Sequence, residues 1–503
     1  MNGPSSLRTA LVVACVALAC APPPTPPRHA TTAAPPAADA APPLGVYLPK
    51  ERAAGSPYCL DPDGAALRRA VAHARWEPNE RVSAPALAED VRDLHDAMEK
   101  IYAGYPELLE DPGFDVERFF DGWEAGLRAA GPTVSFANGV VAPLVALRRA
   151  HRDNHLAPWG WNGRLARRPE LAIAEYQARR HFTHEELASC AFADARPLPG
   201  TLRAARGIDA SGLVDLATFS AQSTAEAIVA RCGGADVRFE RRRSSTTYAP
   251  SDAPVYAWRL VNDVAVIVVR RLFGPPADLA TLRRLADDYP AHAAAKAIVF
   301  DFRGNGGGDD SYVHAWIDRA VRGRWRPPYF EIGIVGARKP CGDWNELVAA
   351  QLRDGRADLP DARAARDAYW KKAALVTPDS VQSVDLADET ASAPSPYRGR
   401  VFVLADRTSG SSGESGPEML RASIGATLVG ERTAGYLEYG NIRPWVMPRT
   451  GIVWGLASKR NYYPEPCEGV GLAPTYYLAP ELVDAPVEKL LPLLLALPAA
   501  ARP

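Results

Sequence analysis

The sequence has no charge excess. Its 58 Lys and Arg face 59 Asp and Glu, and a net charge of -1 offers no general attraction to nucleic acid or to an anionic membrane surface. No nucleic-acid partner is therefore expected. There are seven cysteines, and none of the five beyond position 20 (Cys59, Cys190, Cys232, Cys341 and Cys467) forms a CxxC or zinc-knuckle spacing, so a structural metal has no support. The chain contains no GxxxxGK[ST] phosphate loop and no HExxH. No cofactor and no metal are expected. What is present, 47% hydrophobic and 23% charged residues over 503 positions, is the composition of a globular protein of two or three domains.

Residues 1–20 carry one cation, Arg8, and then the apolar run Ala10–Ala19, about the length of a signal-peptide core and too short to span a bilayer. Ala17-Leu18-Ala19-Cys20 resembles a bacterial lipobox, in which the Cys is lipidated after cleavage; ordinary cleavage after Ala19 is the alternative. The chain is thus expected to be exported to the cell envelope or secreted, with any membrane attachment made through Cys20. Residues 21–57 form a tether rich in Pro and Ala.

Residues 58–160 show helical spacing, as in LAEDVRDLHDAMEKIY and VERFFDGWEAGLRAA, and predict a small helical domain. Residues 161–254 are mixed and of uncertain fold, with a helix expected over Ser223–Arg231 and a strand over Ala235–Arg241. Across 255–480 strands and helices alternate, interrupted by an insertion at 322–396, and 481–503 closes with a helix. The fold class is α/β in a multidomain α+β chain.

Two strand-to-helix junctions in that segment can carry chemistry. The first, Asp301-Phe302-Arg303-Gly304-Asn305-Gly306-Gly307-Gly308, lets backbone amides turn outward; the second, Ser409-Gly410-Ser411-Ser412-Gly413, exposes a hydroxyl in the positive field of a helix N-terminus. Taken singly these are a tight turn and an ordinary Ser cap. Together they can supply a nucleophile and its oxyanion donors.

The segments AIVFDFRGNGGG and VFVLADRTSGSSGESGPEMLRASIGATLVGERTAGY resemble the paired signature of the tail-specific (C-terminal-processing) and tricorn-core serine peptidases. The resemblance implies a crotonase/ClpP-like catalytic β-α sheet domain. It also implies Ser411 as nucleophile, three residues before Glu414, with the Ser412 amide and that of Gly306 or Gly307 as oxyanion donors. The tail-specific base, a Lys, would fall at Tyr436, and a phenol with a pKa near 10 is no ready base. The tricorn branch uses His. Asp153-Asn154-His155-Leu156 is similar to its Asp-x-His-Thr segment, and Glu468-Gly469-Val470-Gly471-Leu472-Ala473-Pro474 to its Glu-x-x-Gly-Val-x-Pro segment. His155 is then the candidate base, Glu468 its support, and Asn154 stands where a helper Ser would be.

The implied activity is peptide-bond hydrolysis through an acyl-enzyme, with a peptide or unfolded protein as substrate. A ligand-binding or interaction protein on the same scaffold is the rival. No PDZ pattern occurs in 161–254, where one would sit. His151 and His155, four apart, would share a helix face as a two-His metal site, although no Glu lies between them.

Overall fold

A computed structural model describes residues 76–498, apart from 160, 162–164, 166–170, 172, 193–201, 243–249, 251, 322–329, 336–379, 385–396 and 464–465. The proposed signal, the tether, Cys20 and most of the 322–396 insertion lie outside the described residues. No helix among the described residues is long and apolar enough to cross a membrane.

The 255–480 segment is built on parallel strands Val264–Val269, Ala297–Asp301, Arg400–Ala405, Thr427–Gly430 and Tyr476–Leu478, in that spatial order, with Tyr256–Val261 antiparallel at one edge. Their sequences are almost continuously apolar because both faces of a parallel sheet are covered. On one face Ile267, Ile298, Phe300 and Val403 pack with Leu282, Leu285, Trp316 and Met419 from three helices, Pro276–Asp287, Ser311–Ala320 and Ser412–Ile424. On the other, Val266, Val299, Phe402 and Leu404 meet Leu490, Leu491 and Leu494 of the closing helix Val487–Ala496. Each fully buried large aliphatic side chain contributes about 1.5–3 kcal/mol, so the sheet is a rigid base for the loops at its strand ends.

The sheet continues into the middle region. Arg203–Asp209 pairs in parallel with Tyr476–Leu478, and antiparallel strands Gly212–Ala221, Ala174–Ala178, Ala235–Arg241 and Ala227–Cys232 follow. The strand expected over Ala235–Arg241 is present, but the helix expected over Ser223–Arg231 is not. Gly233 and Gly234, at φ 59° and 84°, make a two-residue hairpin turn. Across it Ala230 and Cys232 face the same small core as Val237 and Phe239. Period-two alternation thus overrides the helix propensity of the Ala and Glu residues there. Cys232 is joined to Cys190 by a disulfide, and Cys467 is buried and free.

Helices Ala84–Ile101, Tyr105–Glu110, Val116–Ala129 and Ala142–Ala150 form the helical region. Its core also takes in Trp445, Met447, Trp454 and Leu456 from the hairpin Tyr439–Val446/Val453–Tyr462, which belongs to a second sheet. Residues Phe330–Val335 and Ser380–Val384 of the insertion add two strands to that sheet. The helical region and the hairpin therefore share one core. Just after His155, Ala157–Pro158 pairs with Trp454 and Gly455 of the hairpin, which holds His155 beside that second sheet.

Candidate active site

Strand Arg400–Ala405 ends in a turn held by Asp406, whose Oδ1 accepts the amides of Thr408 (2.9 Å) and Ser409 (3.0 Å) and whose Oδ2 accepts the Gly304 amide of the first loop at 3.0 Å. Ser409 is buried, and its hydroxyl donates to the Phe302 carbonyl at 3.0 Å, so it is a tie between the two loops. Ser411 caps helix Ser412–Ile424 at φ 54°, a left-handed conformation that a non-glycine residue adopts only when its surroundings impose it. Those surroundings are Glu414. Its buried carboxylate accepts four hydrogen bonds: from the Ser411 amide (3.0 Å), the Thr433 hydroxyl (2.5 Å), the Gly435 amide (2.8 Å) and the Tyr436 amide (2.7 Å). Burial raises the Glu414 carboxyl, and the four donors oppose that shift.

The first loop closes over this turn. The Asn305 carbonyl accepts the Gly410 amide at 2.9 Å, and its side chain donates to the Val269 carbonyl at 3.0 Å. Asn305 Oδ1 also accepts the Gly307 amide at 2.8 Å. Of the two glycine amides expected from sequence as oxyanion donors, that of Gly307 is therefore already engaged within the loop. Gly307 instead provides space: at φ 107°, a Cβ there would lie 2.8 Å from Ser411 Cβ. Among the described residues, the amides of Gly306 and Ser412 donate to no protein acceptor, and both residues line the same cleft. The Ser412 hydroxyl is turned away, to the Gly308 carbonyl at 2.7 Å.

His155 and Ser411 line one cleft of about 610 Å³, with Trp159, Phe273, Tyr312 and Tyr436 among its walls. The His155 ring meets the Tyr436 ring edge-on at 5.1 Å. Burial, and after it the positive charge of Arg148, pushes the imidazole down to about 3, so the ring is neutral at ordinary pH. Asp153 accepts the His155 amide on Oδ1 at 2.7 Å and the Tyr102 hydroxyl on Oδ2 at 2.8 Å. Glu468 accepts the Asn154 amide at 2.9 Å and the Glu438 amide at 2.9 Å. Asn154 donates its side-chain amide to the Gly435 carbonyl at 2.7 Å and accepts from Arg148. It therefore braces the two loops, with its polar atoms turned to Gly435 and Arg148.

The two-His metal site is not formed, because helix Ala142–Ala150 stops before His151, whose Nε2 bonds Tyr102 Oη at 2.7 Å. Asp153, His155 and Glu468 are the described residues whose donor atoms cluster as metal ligands might, within 4.8 Å of one another. All four of their carboxylate oxygens already accept protein hydrogen bonds. Sequence reading used Glu414 only as a register mark and Asp153 only as part of a pattern. It missed the tethering roles of Asn305 and Asp406, for which a polar residue at the end of each strand-to-loop turn was the available signal.

Residues 279–452 match the family model of Peptidase family S41. It is this segment of the chain that is similar to the S41 serine peptidases. No curated protein matches the sequence. Among solved structures, mature CPAF complexed with lactacystin is 15% identical, with 82% of this chain and 98% of that one covered and a TM-score of 0.45. The photosystem II D1 C-terminal processing protease is 12% identical over 81% of this chain and 96% of its own, with a TM-score of 0.36. The tricorn protease is 14% identical over 81% of this chain and 36% of its own, with a TM-score of 0.33.

Proposed function

We propose that the chain is an exported peptidase that cuts peptide bonds by acyl transfer to Ser411. The Ser411 oxygen attacks the carbonyl carbon while His155 takes its proton, and the Gly306 and Ser412 amides receive the oxyanion. His155 then gives the proton to the leaving amine, and water, activated in the same way, releases the acyl group. Glu468 supports the relay through its bond to the Asn154 amide. The observation that carries this reading is the single cleft holding a strained Ser411, a neutral buried His155 and two backbone amides without protein acceptors.

Labelling with a fluorophosphonate probe tests it: the wild type is expected to be labelled and to degrade casein, and Ser411→Ala to do neither. Wild-type protein that stays unlabelled and leaves casein intact would favour the binding-protein reading. Export is supported by the apolar run before Cys20 and by the Cys190–Cys232 disulfide, a bond favoured in oxidising compartments. Mass spectrometry of the mature N-terminus is expected to find Cys20 lipidated, and an unmodified Cys20 would mean ordinary secretion.

A further inference from the structure

His155, Asp153 and Glu468 are buried together, with a nitrogen or oxygen of each within 4.8 Å of those of the others. Two carboxylates in so small a volume repel each other and favour the retention of a proton. Arg148 and the hydrogen-bond donors on the two carboxylates oppose this only in part. Arg148 is the cation acting on Asp153, and its Nη2 is given to Asn154. Glu438 holds Arg460 at 3.2 Å, Glu414 is occupied by its four donors, and Tyr102, His151 and Tyr439 are neutral.

The two carboxylates face different things. Both Glu468 oxygens accept backbone amides, those of Asn154 and Glu438. Asp153 Oδ1 lies 3.8 Å from His155 Nδ1, a buried ring nitrogen that has no hydrogen-bond partner among the described residues. We propose that Asp153 is the carboxylate that orients the His155 ring during the reaction, and that Asp153 and Glu468 hold one proton between them. This rests on the reading of Ser411 and His155 as nucleophile and base.

Asp153 is then a positioning residue, and Glu468 acts through the backbone of the turn that carries His155. As the Ser411 Oγ–carbon bond forms, the hydroxyl proton passes to Nε2. The Nδ1–H of the resulting imidazolium closes on Asp153 Oδ1, and the shared proton moves toward Glu468, which concentrates the negative charge on Asp153. When the C–N bond breaks, the Nε2 proton leaves on the amine and the shared proton returns.

Two readouts on the full chain test this: kcat and KM, and a ¹⁵N NMR titration of the His155 ring in the Ser411→Ala background. Asp153→Asn is expected to lower kcat by about 100-fold or more with KM within about two-fold, and to lower the imidazole pKa. Glu468→Gln is expected to leave that pKa within about half a unit or to raise it, because the proton is lost with Glu468 and Asp153 keeps the whole charge. A fall of about a unit or more in Glu468→Gln would mean that both carboxylates are ionised, and would overturn the shared proton. An unchanged kcat in folded Asp153→Asn would overturn the positioning role. Should Asp153→Asn not fold, Tyr102→Phe withdraws the hydroxyl from Oδ2 and draws the proton onto Asp153; the His155 pKa should fall, and one that does not move overturns the proposal. His155→Ala with wild-type activity would instead sink the underlying assignment of the base, whatever Asp153 does.

Discussion

The Glu414 carboxylate accepts the amide of Ser411, three residues before it, at 3.0 Å, and in the same grip holds the amides of Gly435 and Tyr436. One buried acid thus sets the left-handed turn at Ser411 and anchors the segment facing it. Glu414→Gln keeps the volume but places an NH2 where two donors point, a mismatch that costs about 1–3 kcal/mol or more per stranded group. The variant is expected to melt at a lower temperature, to lose at least about 100-fold in kcat/KM and to react slowly with a fluorophosphonate. Wild-type labelling at a reduced melting temperature would show that Glu414 supports the fold without shaping the Ser411 turn.

Gly307 offers a second, purely steric test. An Ala there would put its Cβ 2.8 Å from Ser411 Cβ and 2.9 Å from the Gly410 carbonyl oxygen, at a φ of 107° that L side chains rarely adopt. One loop or the other must move, and a displacement near 1 Å at a reacting group can cost about 100-fold in rate. Gly307→Ala should therefore lose labelling and turnover together. Retention of both would mean that the Asn305–Gly307 loop is not seated against Ser411 during the reaction.

The two strand-to-helix junctions were legible because buried parallel strands write themselves as unbroken apolar runs and glycines mark the turns that follow. His155 was legible only through its resemblance to a family pattern, since a lone His after a helix has no periodicity to mark it. The strand Ala227–Cys232 was misread because Ala225 and Glu226 just before it and Ala227 and Ala230 within it are good helix formers, and only the Gly233–Gly234 turn and the partner strand reveal its alternation. The sharing of the 439–462 hairpin with the helical region was not legible at all, because contacts across more than 300 residues leave no local signal.

Tyr436 occupies the position where the tail-specific branch has its Lys, and in this structure its ring packs edge-on against His155 at 5.1 Å. The expected role is packing. Tyr436→Phe should retain most of the activity, because the ring contact is preserved and the phenol takes no proton. Tyr436→Ala should lose more, since it opens space beside the base and lets the imidazole turn. A Tyr436→Phe variant as inactive as Ser411→Ala would place the phenol in the proton path and overturn the assignment of His155 as base.

The pH dependence of kcat/KM gives the most direct check on that base. A free imidazole titrates near 6.5, so an exposed His base would lose activity as the pH falls through roughly 6 to 7. Burial, joined by the charge of Arg148, holds the His155 ring well below that range. Since the neutral form is the base, activity is present above the folded-state pKa and is lost only as the pH falls through it, so the acid limb should lie below 6.5. The same depressed value means that His155 contributes stability that is fully present above 6.5 and declines at lower pH, because the unfolded chain there binds a proton that the native ring excludes. Arg148→Met, which removes the repelling cation while keeping an apolar stem, should move the acid limb toward neutral pH. His155→Ala should cost several orders of magnitude at every pH, and Glu468→Gln less, because the base remains. An acid limb at or above 6.5 in the wild type would show that the imidazole is solvated in the working enzyme and that the cleft opens around His155 before it accepts the proton.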